Sequence, residues 1–443
     1  MKFYDREREL AELEKLEKQT SGSARMTVLT GRRRVGKTSL ALEFARSRKH
    51  LYLFVSKKSE SLLCSEYLED IQRQFEVPVV GEIKTFRDIF RLLLELSRKA
   101  PFTLIVDEFQ EFLQINPAVY SELQHLWDVN KGKCHLNLIC IGSIYSLMHS
   151  IFEEKKEPLF GRADRVLCLK PFPVRTISEV LDDYGVTGTK ALFDCYVLTG
   201  GMPKYLDLLT ANSALSFDRM MEFLLQTDSP MLNEGRNLLI EEFGKHYGTY
   251  FSILELISLG KTARMEMQSI LEMDIGGYLD RLESIFGIIC KHKPINAKRN
   301  SRLQKYRITD NFLNFWFRFI YRNRSAVETG NFSYIREVID RDYSSHCGLM
   351  LERCFHELLA EAGNYNRVGS YWERGNQNEI DLVALNDLKK TITIADIKLN
   401  KSRLSVEELK HRAHGLVACY PRHEPEWLGL SVENISDYLP EGR

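Results

Sequence analysis

Residues 31–38 read Gly31-Arg32-Arg33-Arg34-Val35-Gly36-Lys37-Thr38, a complete G-x-x-x-x-G-K-[ST] phosphate loop. The glycines let backbone N–H groups turn inward around a phosphate. The N-terminus of a following helix adds positive dipole. Lys37 is placed to reach β- and γ-phosphates, and the Thr38 hydroxyl to ligate magnesium. Further on, Phe102-Thr103-Leu104-Ile105-Val106 runs into Asp107 and Glu108. An Asp at the end of a buried strand can hold magnesium. The Glu after it is placed to orient or deprotonate a water for attack on the γ-phosphate.

These residues need a scaffold. Met26-Thr27-Val28-Leu29-Thr30 precedes the loop, and Ser39-Leu40-Ala41-Leu42-Glu43-Phe44-Ala45 follows it. That is the strand–loop–helix setting the motif requires. Apolar strands are expected at 26–30, 50–56, 102–107, 136–143 and 165–170, with helical stretches between. Such alternation predicts a parallel sheet with helices on both faces. Ligands in such sheets sit at the carboxyl ends of strands. The phosphate loop, Asp107, Glu108 and Ser143 all fall at strand ends, so one site can gather them.

The rest of the chain changes character. Residues 174–240 read as helical, broken at Thr199-Gly200-Gly201-Met202-Pro203. From Lys291 to Arg307 there are seven Lys or Arg and no acid: Lys291, Lys293, Lys298, Arg299, Arg302, Lys305 and Arg307. Helices followed by this basic segment give the order of a winged helix-turn-helix, with 291–307 as a DNA-contacting hairpin. A solvated loop, or a patch docked on another domain, is the plainer reading. Phe312, Phe315, Trp316, Phe317, Phe319 and Tyr321 are dense enough to be a packing junction rather than a base-stacking surface. Residues 340–443 offer a helix with Leu349, Leu351, Phe355, Leu358 and Leu359 on an apolar face. Two strands follow, 378–384 and 391–398, joined by a polar turn.

Composition narrows the class. The 443 residues suggest roughly three domains at about 150 residues each. Hydrophobic residues make up 44% and charged residues 28%, ordinary for a globular protein. Lys+Arg and Asp+Glu are both 61, so only local patches can speak for nucleic acid. The first twenty residues are charged and hold no apolar core for a signal peptide. No apolar run approaches the length of about 18 residues that spans a bilayer. Nine scattered cysteines, without a CxxC pair, suggest neither zinc nor a disulfide frame. The expectation is a cytoplasmic, reducing setting.

With these motifs in order, the sequence resembles the archaeal-type AAA+ ATPases, P-loop proteins grouped near the signalling NTPases with numerous domains. Phe3-Tyr4-Asp5-Arg6-Glu7 is similar to that family's opening F-x-[DN]-R-E segment, which implies that Arg6 helps enclose the base. Ser143 falls at the sensor-1 position. Pro158-Leu159-Phe160-Gly161-Arg162 matches P-L-[YF]-G-R, making Arg162 a candidate arginine finger. Gly200-Gly201-Met202-Pro203-Lys204-Tyr205-Leu206 matches the lid segment, so Pro203 joins Gly31 to Ser39 as a nucleotide-binding candidate. The carboxyl unit resembles the family's uncharacterised C-terminal domain, similar to PD-(D/E)-x-K nucleases. Glu352, Asp381, Asp396 and Lys398 fit that pattern, with Glu379 competing with Asp381 as a metal ligand. In Asp396-Ile397-Lys398, period-two alternation points both side chains to one face. Carboxylates there can hold magnesium, and the Lys can steady a water.

The resemblance implies a multidomain fold. An α/β P-loop core with a parallel sheet spans 1–173 and a helical lid 174–240. A winged helix-turn-helix spans 241–325 and an α/β nuclease-like domain 326–443. It implies a magnesium-dependent ATPase switch acting on or with DNA. A nucleic-acid-binding regulator, or an ATP-gated nuclease, is the alternative. No N-K-x-D motif follows Ser143, which disfavours guanine. Oligomerisation is open.

Overall fold

This computed structural model describes residues 1–78, 81–143, 145–244, 247–298, 300–301 and 303–439. They form two compact units, one of residues 5–170 and one of residues 1–4 with 171–443. The four-part division expected from sequence is finer than this.

The 5–170 unit is built on five strands: β1 (Arg25–Gly31), β2 (His50–Phe54), β3 (Phe102–Asp107), β4 (Leu136–Ile141) and β5 (Arg165–Leu169). All pair in parallel, in the order β2-β3-β4-β1-β5. Every residue of β3 and β4 is buried, as expected of parallel strands covered on both faces, which read as unbroken apolar runs. β2 and β4 each end two residues earlier than their apolar patterns suggest. Ser143 therefore lies just beyond its strand. Helices over Glu60–Phe75, Phe86–Lys99 and Ala118–Asn130 bury Ile71, Phe90, Leu93, Leu123 and Trp127 in the core of this unit. β1 is followed in sequence by β2, at the far edge of the sheet. The chain thus reverses direction next to β1, and such switch points open a crevice at the strands' carboxyl ends.

The second unit begins with helices. The one over Thr189–Thr199 ends where Gly200 turns left-handed (φ 55°), and Pro203 opens the next, Pro203–Ala211. This is the break read from sequence, with Pro at the first turn, where its missing N–H costs nothing. Helices over Tyr247–Ser258, Arg264–Leu271 and Gly276–Ser284 precede an antiparallel pair, β6 (Ile289–His292) and β7 (Lys305–Ile308). Phe312, Phe315, Trp316, Phe317 and Phe319 are buried, as a packing junction requires.

A 30-residue helix, Phe332–Glu361, leads into four strands: β8 (Arg367–Tyr371), β9 (Ile380–Asn386), β10 (Thr391–Ile397) and β11 (Glu424–Leu430). Their order is β11-β10-β9-β8. β8, β9 and β10 pair antiparallel, while β10 and β11 run parallel. The sheet is therefore mixed, and Ile392 and Ile394 pack with Leu409 and Leu416. All nine cysteines are free thiols. Among the described residues, no helix is long and apolar enough to cross a membrane.

Candidate functional site

The phosphate loop joins β1 to the helix Lys37–Ala45. Its wrap needs glycine at Gly31. There φ is +134°, and a Cβ would come within 2.5 Å of the Leu169 carbonyl oxygen. Arg34 (φ 73°) and Gly36 (φ 90°) complete the left-handed turns. Val35 is buried, and Ser39 is exposed on the helix's first turn. Arg6, itself buried, donates to the carbonyls of Val35 (3.3 Å) and Lys170 (2.7 Å). It therefore ties the loop to the end of β5, a bracing role that adds to the one the resemblance implied. Arg32 and Arg33 are half-buried on the loop.

Lys37 donates from Nζ to the carbonyls of Gly31 and Arg32, both at 2.9 Å. Burial lowers its pKa to about 8, against the opposing pull of the Glu108 and Asp107 carboxylates. A buried ammonium bonded to neutral carbonyls at a helix N-terminus is suited to phosphate. The Thr38 hydroxyl donates to Asp107 Oδ2 at 2.6 Å. This pair of oxygen donors fits a hard cation such as magnesium. Tyr52 also donates to Asp107 Oδ2, at 2.9 Å.

Glu108 sits in the left-handed region (φ 53°), its N–H bonded to Asp107 Oδ1 at 2.9 Å. Ser143 donates to Glu108 Oε2 at 2.7 Å, and Gln110 Nε2 donates to the same oxygen. Lys37, Thr38, Asp107, Glu108 and Ser143 thus converge, as the strand-end reading anticipates. Tyr52 and Gln110 were missed. Tyr52 follows from the alternation His50, Tyr52, Phe54 only once β2 is known to border β3. Gln110 lies in a 3₁₀ turn that no periodicity marks.

Two candidates make none of these bonds. Arg162 is bound to Asp128 (3.0 and 3.4 Å) and to the Phe160 carbonyl (2.8 Å). Pro203 belongs to the second unit.

In the second unit, Glu352, Asp381, Asp396 and Lys398 come together. Lys398 Nζ is 3.1 Å from both Asp381 Oδ2 and Asp396 Oδ1. Arg412 donates to Asp396 Oδ1 at 2.7 Å and to the Glu379 carbonyl at 2.7 Å. Burial, then the Asp381 charge, raises the Glu352 pKa to about 8. Arg307 approaches Glu352 at 3.8 Å, yet burial lowers the Arg307 pKa. Both partners shift toward neutrality, so desolvation outweighs so long a pairing. The Glu379 carboxylate is taken by Lys305 at 2.7 Å rather than by Lys398. Among the described residues, no three Asp, Glu, His or Cys are placed to hold a metal. Lys398 and Arg412 thus pair with one oxygen each of Asp381 and Asp396.

The basic segment also faces inward more than its composition suggests. Lys291 pairs with Glu283 (2.5 Å) and Asp280 (3.4 Å). Lys305 pairs with Glu379 and lies over Trp372, and Arg307 pairs with Glu352. Alternation along β7 puts Lys305 and Arg307 on one face, and the carboxyl sheet covers it. Ile295 packs in that sheet's core, and His292 meets Ser370 at 3.1 Å. Lys298 is exposed. Arg299 and Arg302 lie outside the described residues.

Comparison with known proteins agrees with this architecture. A family described as an ATPase domain predominantly from Archaea matches residues 3–209. A second, described as archaeal and bacterial proteins of unknown function, matches residues 316–411. The uncharacterized protein MJECL04 of Methanocaldococcus jannaschii is 31% identical over 407 residues, covering 89% of this chain and 87% of that one. The Walker-type ATPase PABY2304 of Pyrococcus abyssi shares the fold at 20% identity, with a TM-score of 0.55, over 71% of this chain and 96% of that one. So does the ORC2 protein of Aeropyrum pernix in ADPNP–ADP complexes, at 16% identity and a TM-score of 0.51, over 76% of this chain and 96% of that one. A phosphate loop, paired strand-end carboxylates, a relative alike over most of both chains and family matches at both ends lead to one conclusion: this chain belongs to a family of archaeal-type ATPases, a P-loop ATPase domain followed by a carboxyl-terminal domain of unknown function.

Proposed function

We propose that this ATPase is a magnesium-dependent switch that acts with DNA. The observation that carries the catalytic part is the convergence of Lys37, Thr38, Asp107, Glu108 and Ser143 at the strand ends. Lys37 binds the β- and γ-phosphates, exchanging two loop carbonyls for charged oxygens. Thr38 and Asp107 would hold magnesium, which when bound neutralises charge between the phosphates. Glu108 orients the attacking water and takes its proton, and Ser143 holds Glu108 in place. Nucleotide in the solved Aeropyrum pernix relative supports ATP as the ligand.

Arg162 is taken as a charge supplied between subunits, since it is spent on Asp128 within its own. Arg162→Ala is expected to slow hydrolysis with ATP affinity kept, by less than the loss of Glu108, because the Asp128 pair must break first. Its kcat should then rise with protein concentration in wild type and not in the variant. An unchanged kcat would leave Arg162 as a surface bridge worth about 0–1 kcal/mol.

The order of three helices and a two-stranded hairpin supports a winged helix as the DNA-contacting part. The contact is narrower than 291–307, because Lys291, Lys305 and Arg307 are spent on acids of this chain. Among the described residues, Lys298, exposed between β6 and β7, is a cation placed to meet a phosphate. Lys298→Ala should flatten the log–log salt dependence of duplex binding by about 0.9. A slope unchanged in Lys298→Ala removes the hairpin from the interface. The test of the whole reading is the ATPase rate with and without duplex DNA. Stimulation is expected, and a rate indifferent to DNA at saturating concentration would refute it. The carboxyl sheet is read as a nuclease-like fold kept for binding, since Lys398 and Arg412 already pair with Asp381 and Asp396.

A further inference from the structure

Glu108 must present one carboxylate oxygen to water while its side chain stays fixed. Two donors serve the other oxygen. Ser143 Oγ reaches Oε2 at 2.7 Å, and the Gln110 amide Nε2 reaches the same atom. Gln110 is 2% exposed, and its own Oε1 is buried without a partner. The Gln110 backbone carbonyl accepts from Tyr120 at 3.3 Å, fixing the turn that carries the side chain. The amide is wedged against Gly142, where an added Cβ would lie 2.6 Å from Gln110 Oε1 and 2.3–2.4 Å from the Met148 side chain. A buried amide oxygen left unsatisfied is costly. Here it faces away from the carboxylate so that the N–H can face toward it.

We infer that Gln110 is a positioning residue for ATP hydrolysis, acting through Glu108. Together with Ser143 it pins Oε2, leaving Oε1 to accept the proton of the attacking water. Gly142 is part of the same device, because any side chain there would push the amide off the carboxylate. The charged and titratable groups around Glu108 are Asp107, Lys37, Tyr52 and Glu111. Glu111 lies 3.5 Å from the Gln110 amide. Among the described residues, Gln110 and Ser143 are the two that hold Oε2.

The test is Gln110→Leu in the full chain, which keeps bulk and removes the donor. The donor acts only on the group that takes the proton, so kcat should fall about tenfold, short of the roughly 10²–10⁴-fold cost of losing the base itself. ATP affinity should stay at the wild-type value. Gly142→Ala, made separately, should reproduce the loss in kcat. In a Glu108→Gln background, Gln110→Leu should add nothing, since the two act as one unit. An unchanged kcat, a loss that appears in ATP affinity instead, or an undiminished loss in the Glu108→Gln background would overturn the assignment. A lowered melting temperature with the wild-type kcat would mark Gln110 as packing only.

Discussion

Glu108→Gln is expected to bind ATP as wild type does and to stop turning it over. The substitution keeps the shape of the side chain and its place after β3. Ser143 and Gln110 can still donate to the amide oxygen. What faces the water is then an N–H₂ group, which cannot accept a proton. Lys37, Thr38 and the backbone of the phosphate loop are untouched, so the bonds that hold the nucleotide remain. Loss of a positioned general base costs about 10²–10⁴-fold in rate, and the whole of that loss should appear in kcat. The measurement is steady-state phosphate release beside equilibrium binding of a fluorescent ATP analogue. Turnover at the wild-type rate would show that another group activates the water.

Lys37→Ala is expected to lose both turnover and affinity. Its ammonium is the one mobile positive charge that the loop aims at the β- and γ-phosphates. A hydrogen bond to a charged group is worth roughly 1.5–3 kcal/mol, which corresponds to a loss of about 10–100-fold in binding. The pH dependence separates this from a folding defect. Burial holds Lys37 at about 8 in the nucleotide-free chain. Bound triphosphate favours the protonated form, so its pKa rises on binding. Near pH 8 and above, binding must then draw a proton from solution, and affinity must fall as pH rises. Calorimetry in buffers of differing ionisation enthalpy reads that proton directly. In Lys37→Ala the uptake should vanish. If it persists, some other group is the one that titrates.

Legibility of the molecule in its sequence followed the reach of its signals. The ATPase site was readable because local chemistry sets it. Gly31 is demanded by a positive φ, Lys37 and Thr38 by the loop that follows, and Asp107 and Glu108 by the end of a fully apolar strand. Fully buried strands such as β3 and β4 also announce themselves as unbroken hydrophobic runs, and all five strands fall within two residues of their expected ends. The break at Gly200 and Pro203 was visible for the same reason, since both residues act on their own backbone.

What the sequence could not decide was which groups meet across distance. Seven cations without an acid between Lys291 and Arg307 look like a free patch when only neighbours in sequence are counted. In the folded chain Lys305 faces Glu379 and Arg307 faces Glu352, acids supplied by elements far along the chain. The same holds for Asp396, whose partner Arg412 lies on a later helix and takes an oxygen that a metal would need. Gln110 and Tyr52 enter the ATPase site through strand order and a single turn, and neither leaves a periodic trace. By itself the sequence determined the phosphate-binding chemistry and the sheet that carries it, because those follow from backbone conformation and apolar periodicity. Only the tertiary structure decided which charges remain available, because an ion pair is settled by the distance between side chains and the water excluded around them.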